Sequence, residues 1–123
     1  GVLMGDLSKD FSRSEFACGD GCGADEVSPV LVALLQEMRD DLGRYLVITS
    51  GRRCPAHNAA VGGKPDSAHL TGRAADIAAP DSRLRRDIVS AAVHAGISRI
   101  GIGKTFVHVD VDESKPQNVM WLY

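Results

Sequence analysis

This chain has little aromatic surface and no surplus of positive charge. Phe, Trp and Tyr make up 5% of its residues, and 14 Lys and Arg stand against 16 Asp and Glu, for a formal charge of -2. Those shortages argue against nucleic acid as a partner, because binding it calls for phosphate neutralisation and base stacking. No run approaches the ~20 apolar residues of a membrane-spanning helix, so no membrane insertion is expected. The opening Gly1 to Asp10 lacks the charged-then-apolar build of a secretion signal. A first residue of Gly rather than Met nevertheless leaves a trimmed start, and with it export, open. With no internal repeat, low-complexity tract or linker, the 123 residues are expected to form one compact domain over 1–123, as a monomer.

What is present reads as helices first and strands later. Ser12 as N-cap, Glu15 as its partner and the pair Phe11 and Phe16 predict a short helical start that Gly19, Gly21 and Gly23 soon break. Ser28-Pro29 opens a second helix, with Leu31, Leu34, Leu35, Met38 and Leu42 on one stripe and Gly43 as its stop. Tyr45 to Thr49 is strand-like, and Ser50 to Pro55 carries turn signals. Asn58 to Thr71 reads as an irregular excursion, followed by a strand over Arg73 to Ala78. A third helix is predicted from Ser82 to Ala95, with Gly96 as its stop. Strands near Arg99 to Gly103 and Thr105 to Val111 follow, split by a tight turn at Gly103-Lys104. This order predicts an α+β fold, with helices on a partly antiparallel sheet. Trp121, Tyr123 and Tyr45 are read either as groove-lining residues or as core plugs.

Two segments carry the chemistry. In Phe106 to Val111, Phe106, His108 and Asp110 alternate with three valines, so one face can bury while the other offers an imidazole and a carboxylate. Burying those two groups without partners would cost several kcal/mol, which leaves solvent, a mutual hydrogen bond or a cation. In Ser67 to Asp76, His69 and Asp76 add two more candidate ligands, and Gly72, Ala74 and Ala75 permit close approach. Catalytic zinc takes three such ligands and keeps one position open, where it acidifies water and polarises a carbonyl. One Zn2+ ion and hydrolysis of a peptide or amide are therefore expected.

At these residues the chain resembles the peptidase M15 group, the zinc D-alanyl-D-alanine carboxypeptidases and related peptidoglycan peptidases, phage endolysins included. The likeness runs through Phe11 to Phe16, Ile48 to Arg53, His57-Asn58, Val61-Gly62-Gly63, the SxHxxGxAxD pattern of Ser67 to Asp76 and the strand Phe106 to Asp110. It implies that His69, Asp76 and His108 bind zinc, that Arg53 stabilises the oxyanion or holds a substrate carboxylate, and that Ser67 lines the substrate site. Many members carry an acid three residues before the last histidine ligand, where this chain has Thr105. Two assignments follow. Either His108 binds zinc and Asp110 serves as catalytic base or orients it, or Asp110 binds and His108 moves protons. The first is favoured, since such sites are commonly completed by imidazole.

Cys18, Cys22 and Cys54, with His57, admit three readings: a structural zinc site of three thiolates and one imidazole, one disulfide with a thiol left over, or three free thiols. The leading functional expectation is a zinc peptidase acting on the stem peptides of bacterial peptidoglycan, as carboxypeptidase or endopeptidase, either exported or as a phage lysin. The rival, prompted by Thr105, is a cell-wall-binding or phage structural module that retains the zinc fold without turnover.

Overall fold

The computed structural model describes residues 5–123, so the first four residues of the Gly1 to Asp10 opening lie outside the described residues. The short helical start is a 3-10 turn, Arg13–Phe16, with the Ser12 N–H donating to Glu15 Oε2 at 2.6 Å. The rings of Phe11 and Phe16 lie 6.0 Å apart and both are buried. The two long helices keep the predicted boundaries: α1, Pro29–Leu42, is capped by Ser28 and ends at Gly43, and α3, Ser82–Ala95, is capped by Asp81 and ends at Gly96. Their apolar stripes meet each other and share one core with the sheet.

Between them lies a helix where the sequence predicts only a turn and an irregular excursion. Helix α2, Pro55–Ala60, starts with a proline at its first position and with the Cys54 sulfur accepting from the His57 N–H. A proline is well suited there because the N–H it lacks would have no partner inside the helix. A second 3-10 turn, Ala68–Thr71, follows.

Among the described residues five strands form one sheet: β1 Ile48–Ser50, β2 Ala74–Ala78, β3 Arg99–Ile102, β4 Phe106–Asp110 and β5 Val119–Leu122, in the order β1-β2-β4-β3-β5. Every pairing is antiparallel except β3 with β5, which is parallel. Strand β5 was not expected from sequence. The α+β class and the partly antiparallel sheet stand as predicted, and no helix among the described residues is long and apolar enough to cross a membrane.

The alternation in β4 divides the sheet. Val107 and Val109 are fully buried in the core shared with Ile77, Ile100 and the helices. The opposite face carries Asp76 on β2, His108 and Asp110 on β4, Arg99 and Gly101 on β3 and Trp121 on β5. Register sets Asp76 against His108, Gly101 against both His108 and Trp121, and Arg99 against Asp110. A side chain at Gly101 would meet the rings of Trp121 and Tyr123 at 2.6–2.8 Å, so the glycine is what lets those aromatics lie down beside His108.

Candidate metal centre

Asp76 is the hub. Its Oδ1 lies 2.9 Å from His108 Nδ1 and 3.3 Å from His69 Nε2, and the two imidazole rings meet edge-on with centroids 5.2 Å apart. Tetrahedral zinc with bonds of about 2.0–2.1 Å separates neighbouring ligand atoms by about 3.3 Å. Both distances to Asp76 stand close to that spacing, all three ligand atoms lie within 4.8 Å of one another, and the donor set of two imidazoles and one carboxylate suits zinc.

Each ligand is held from behind. His69 sits on the Ala68–Thr71 turn, where its backbone N–H donates to Ser67 Oγ at 3.2 Å. Its Nδ1–H donates to the Gly51 carbonyl at 2.6 Å, which turns Nε2 toward Asp76 and leaves that nitrogen as the one that would bind a metal. The turn closes at Gly72, with φ +70° and the Glu26 carbonyl well inside contact distance of where a Cβ would stand, so this position excludes any side chain. His108 Nε2 lies 2.7 Å from Asp110 Oδ2. Asp110 Oδ1 in turn accepts from Arg99 Nε at 2.7 Å and from the Asp112 N–H at 3.1 Å. Arg99 also donates to the Pro116 carbonyl and lies 4.9 Å over the Trp121 ring.

The electrostatics follow from this packing. Burial alone would push the Asp76 carboxyl up, but the imidazoles of His108 and His69 beside it outweigh that and hold it well below the usual carboxylate range. Burial alone would lower His108; its bonds to Asp110 and then Asp76 reverse that and raise it. Asp110 is lowered despite burial, first by His108 and then by the Asp112 amide. An imidazolium between two carboxylates is what a cation site holds when a proton stands in for the ion.

The cleft above these groups has a volume of about 650 Å3, and Arg53, Ser67 and Tyr123 contribute to its lining. Arg53 Nη2 donates to Asp76 Oδ2 at 3.4 Å, Nε to Ser50 Oγ at 3.1 Å and Nη1 to Asn58 Oδ1 at 3.3 Å. Ser67 therefore both borders the cleft and caps the His69 turn. Asp110, for which the sequence leaves open base, orienter or metal ligand, has both oxygens engaged, one by His108 and the other by Arg99 and the Asp112 amide. Tyr45 is 78% exposed and lies under Arg39 rather than in the cleft or the core. Thr105 sits in the turn between β3 and β4, its carbonyl accepting from the Ala79 N–H.

Sequence reasoning gave no role to Arg99, to Asn58 or to the Gly51 carbonyl. Asn58 is buried, with Nδ2 donating to the Lys64 carbonyl, so it ties Arg53 to the loop beyond α2.

A second group gathers elsewhere. Cys18, Cys22 and Cys54 are free thiols, and no disulfide joins any two of them. The fourth polar group among the sulfurs is Asp20 rather than the His57 expected from sequence, which stands outside the cluster.

Among curated proteins, none matches the chain. The family model for peptidase M15 matches residues 9–112, a span that takes in Arg53, Ser67 and all three groups around Asp76. With most of its length matched, the chain belongs to the peptidase M15 family and is a metallopeptidase domain.

Proposed function

We propose that this metallopeptidase holds zinc through His69 Nε2, Asp76 Oδ1 and His108 Nδ1 and cleaves peptide bonds in the stem peptides of bacterial peptidoglycan. The observation that carries the reading is the convergence of two imidazole nitrogens on one carboxylate oxygen at 2.9 and 3.3 Å, with each ring's other nitrogen engaged. When bound, zinc supplies Lewis acidity, polarising a peptide carbonyl and lowering the pKa of water to roughly 7.

The protein's own groups do the rest. Arg53 reaches Asp76 through a long 3.4 Å contact that it can give up, so its guanidinium is free to meet a developing oxyanion or a substrate carboxylate. Asp110 keeps His108 oriented, with Arg99 holding Asp110 in turn. Trp121 and Tyr123 give the cleft an aromatic wall, while Lys64 and Lys115, the latter paired with Asp112, add positive charge at its border. Stem peptides carry free carboxylates, which suits that balance. On this reading the site of action is the cell wall, reached by export or as a phage lysin, by carboxypeptidase or endopeptidase cleavage.

Mass spectrometry of muropeptides after incubation, with and without a chelator, tests metal need and cleavage site together. Hydrolysis is expected for the wild type, loss to background with chelator, and the same loss for His69→Ala with an unchanged circular dichroism spectrum. Activity retained by His69→Ala would remove the assignment. Binding of stem peptides by the metal-loaded protein without hydrolysis would favour the non-enzymatic reading raised by Thr105.

A further inference from the structure

We propose that Cys18, Cys22, Cys54 and Asp20 form a second, structural zinc site that ties the N-terminal glycine-rich loop to the loop bearing Arg53. It is independent of the substrate reading above.

The Cys18 and Cys22 thiols are separated by three residues, within the two-to-four-residue spacing of structural zinc ligands. Their loop is broken by Gly19 and Gly21, and Cys54 approaches from the start of α2. All four ligand atoms lie within 4.8 Å of one another. Zinc–sulfur bonds of about 2.3 Å place sulfurs about 3.8 Å apart in a tetrahedron, so the cluster needs to contract by no more than about 1 Å. The Asp20 carboxylate already joins two of the sulfurs, accepting from the Cys18 thiol at 3.1 Å and from the Cys54 thiol at 3.0 Å.

Backbone donors point the same way. The Cys54 N–H donates to Cys18 Sγ and the His57 N–H to Cys54 Sγ, each at 3.4 Å, while the Cys22 N–H donates to Asp20 Oδ1 at 3.0 Å. Such N–H bonds suit anionic acceptors, the forms that bind metal; without an ion the Cys18 and Cys54 thiols keep their protons and give them to Asp20, so zinc would bind by displacing those protons. Three thiolates and one carboxylate carry the same total charge as the four thiolates of an all-cysteine zinc site. A disulfide explains the group less well, since any pairing strands the third sulfur beside it. His57 closes the outside, its Nε2 3.2 Å from the place of a Cβ on Gly19.

The position gives the site its purpose. Between Phe16 and the Arg53 loop, the Arg52 N–H donates to the Phe16 carbonyl at 2.8 Å, and the next residue back, Gly51, supplies the carbonyl that holds His69. An ion at Cys54 thus steadies the segment that sets both Arg53 and the His69 tautomer.

The test is metal content of the full chain, purified under reducing conditions with zinc and desalted. Two zinc ions per chain are expected for the wild type, one for His69→Ala and one for Cys22→Ser. Cobalt replacement should give sulfur-to-cobalt charge-transfer absorption in the wild type and in His69→Ala, but not in Cys22→Ser. In the wild type alone, the three thiols should resist a thiol reagent until chelator is added, a result that does not depend on any variant folding. Thiols that react equally fast with and without zinc would overturn the proposal, as would a native disulfide among them or the absence of sulfur-to-cobalt absorption in His69→Ala. None of these readings uses hydrolysis, so a failure here and a failure of the peptidase reading are separable.

Discussion

The two ligand clusters of this domain are built on opposite principles. Asp76 and His108 stand on neighbouring strands at paired register positions, and the far nitrogens of the two histidines are engaged by the Gly51 carbonyl and by Asp110. Cys18, Asp20 and Cys22 stand on a glycine-rich loop, with Cys22 exposed and only Cys18 buried. The sheet cluster holds its shape through backbone pairing and a chain of side-chain contacts ending at Arg99 and Trp121. The loop cluster has little but its own polar contacts. Geometry imposed by a sheet suits a centre that must keep one position open for substrate. Geometry imposed by an ion suits a clamp, because the ion itself supplies the order.

That contrast can be broken at its strongest point by Asp110→Asn, which keeps the shape but removes the charge behind His108. Metal affinity at the sheet cluster should fall by about 10–100-fold, the usual effect of losing a group that orients a ligand histidine. Competition with a chromogenic chelator reads it, and an unchanged affinity would show that register alone fixes the ring.

Acidity sharpens the comparison next. His108 is raised above the ordinary histidine value and must lose a proton to bind metal, so affinity at this cluster should climb as pH rises through neutrality and fall on acidification, by about tenfold per unit while one proton is displaced. Calorimetry in two buffers of different ionisation heat should register that proton. Asp76, held low, stays ionised throughout and does not contribute to this slope.

The smallest effect concerns the backbone beneath the sheet cluster. Gly72→Ala forces a side chain into left-handed backbone, at about 1–2 kcal/mol, and against the Glu26 carbonyl as well. Thermal denaturation should show a lower midpoint. If it does not, the His69 turn is softer than the comparison with the glycine-rich loop requires.

Much of the sheet cluster was legible because its code is local and periodic. The period of two in Phe106 to Val111 assigned faces correctly, and caps at Ser28 and stops at Gly43 and Gly96 bounded the helices. Helix α2 escaped because it is six residues long and its cap is a thiol, an uncommon acceptor. Strand β5 escaped because Val119 to Leu122 lacks alternation and pairs in parallel with a strand far back in the chain. Arg99 reads as an ordinary surface residue until Asp110, Pro116 and Trp121 surround it, and that is a tertiary fact. The choice of Asp20 over His57 beside the sulfurs is likewise set by how the loop folds.

Strand β5 also affects where the domain can be cut. A fragment ending at residue 112 would retain His69, Asp76 and His108 and the whole family-matched span. It would also strip β3 of its outer neighbour, baring a row of unpaired amides open to association with other chains. Arg99 would lose its carbonyl partner and the indole beneath it, and would face solvent beside Asp110. For engineering, the practical boundary of this unit therefore lies past Leu122, about ten residues beyond the end of the family match.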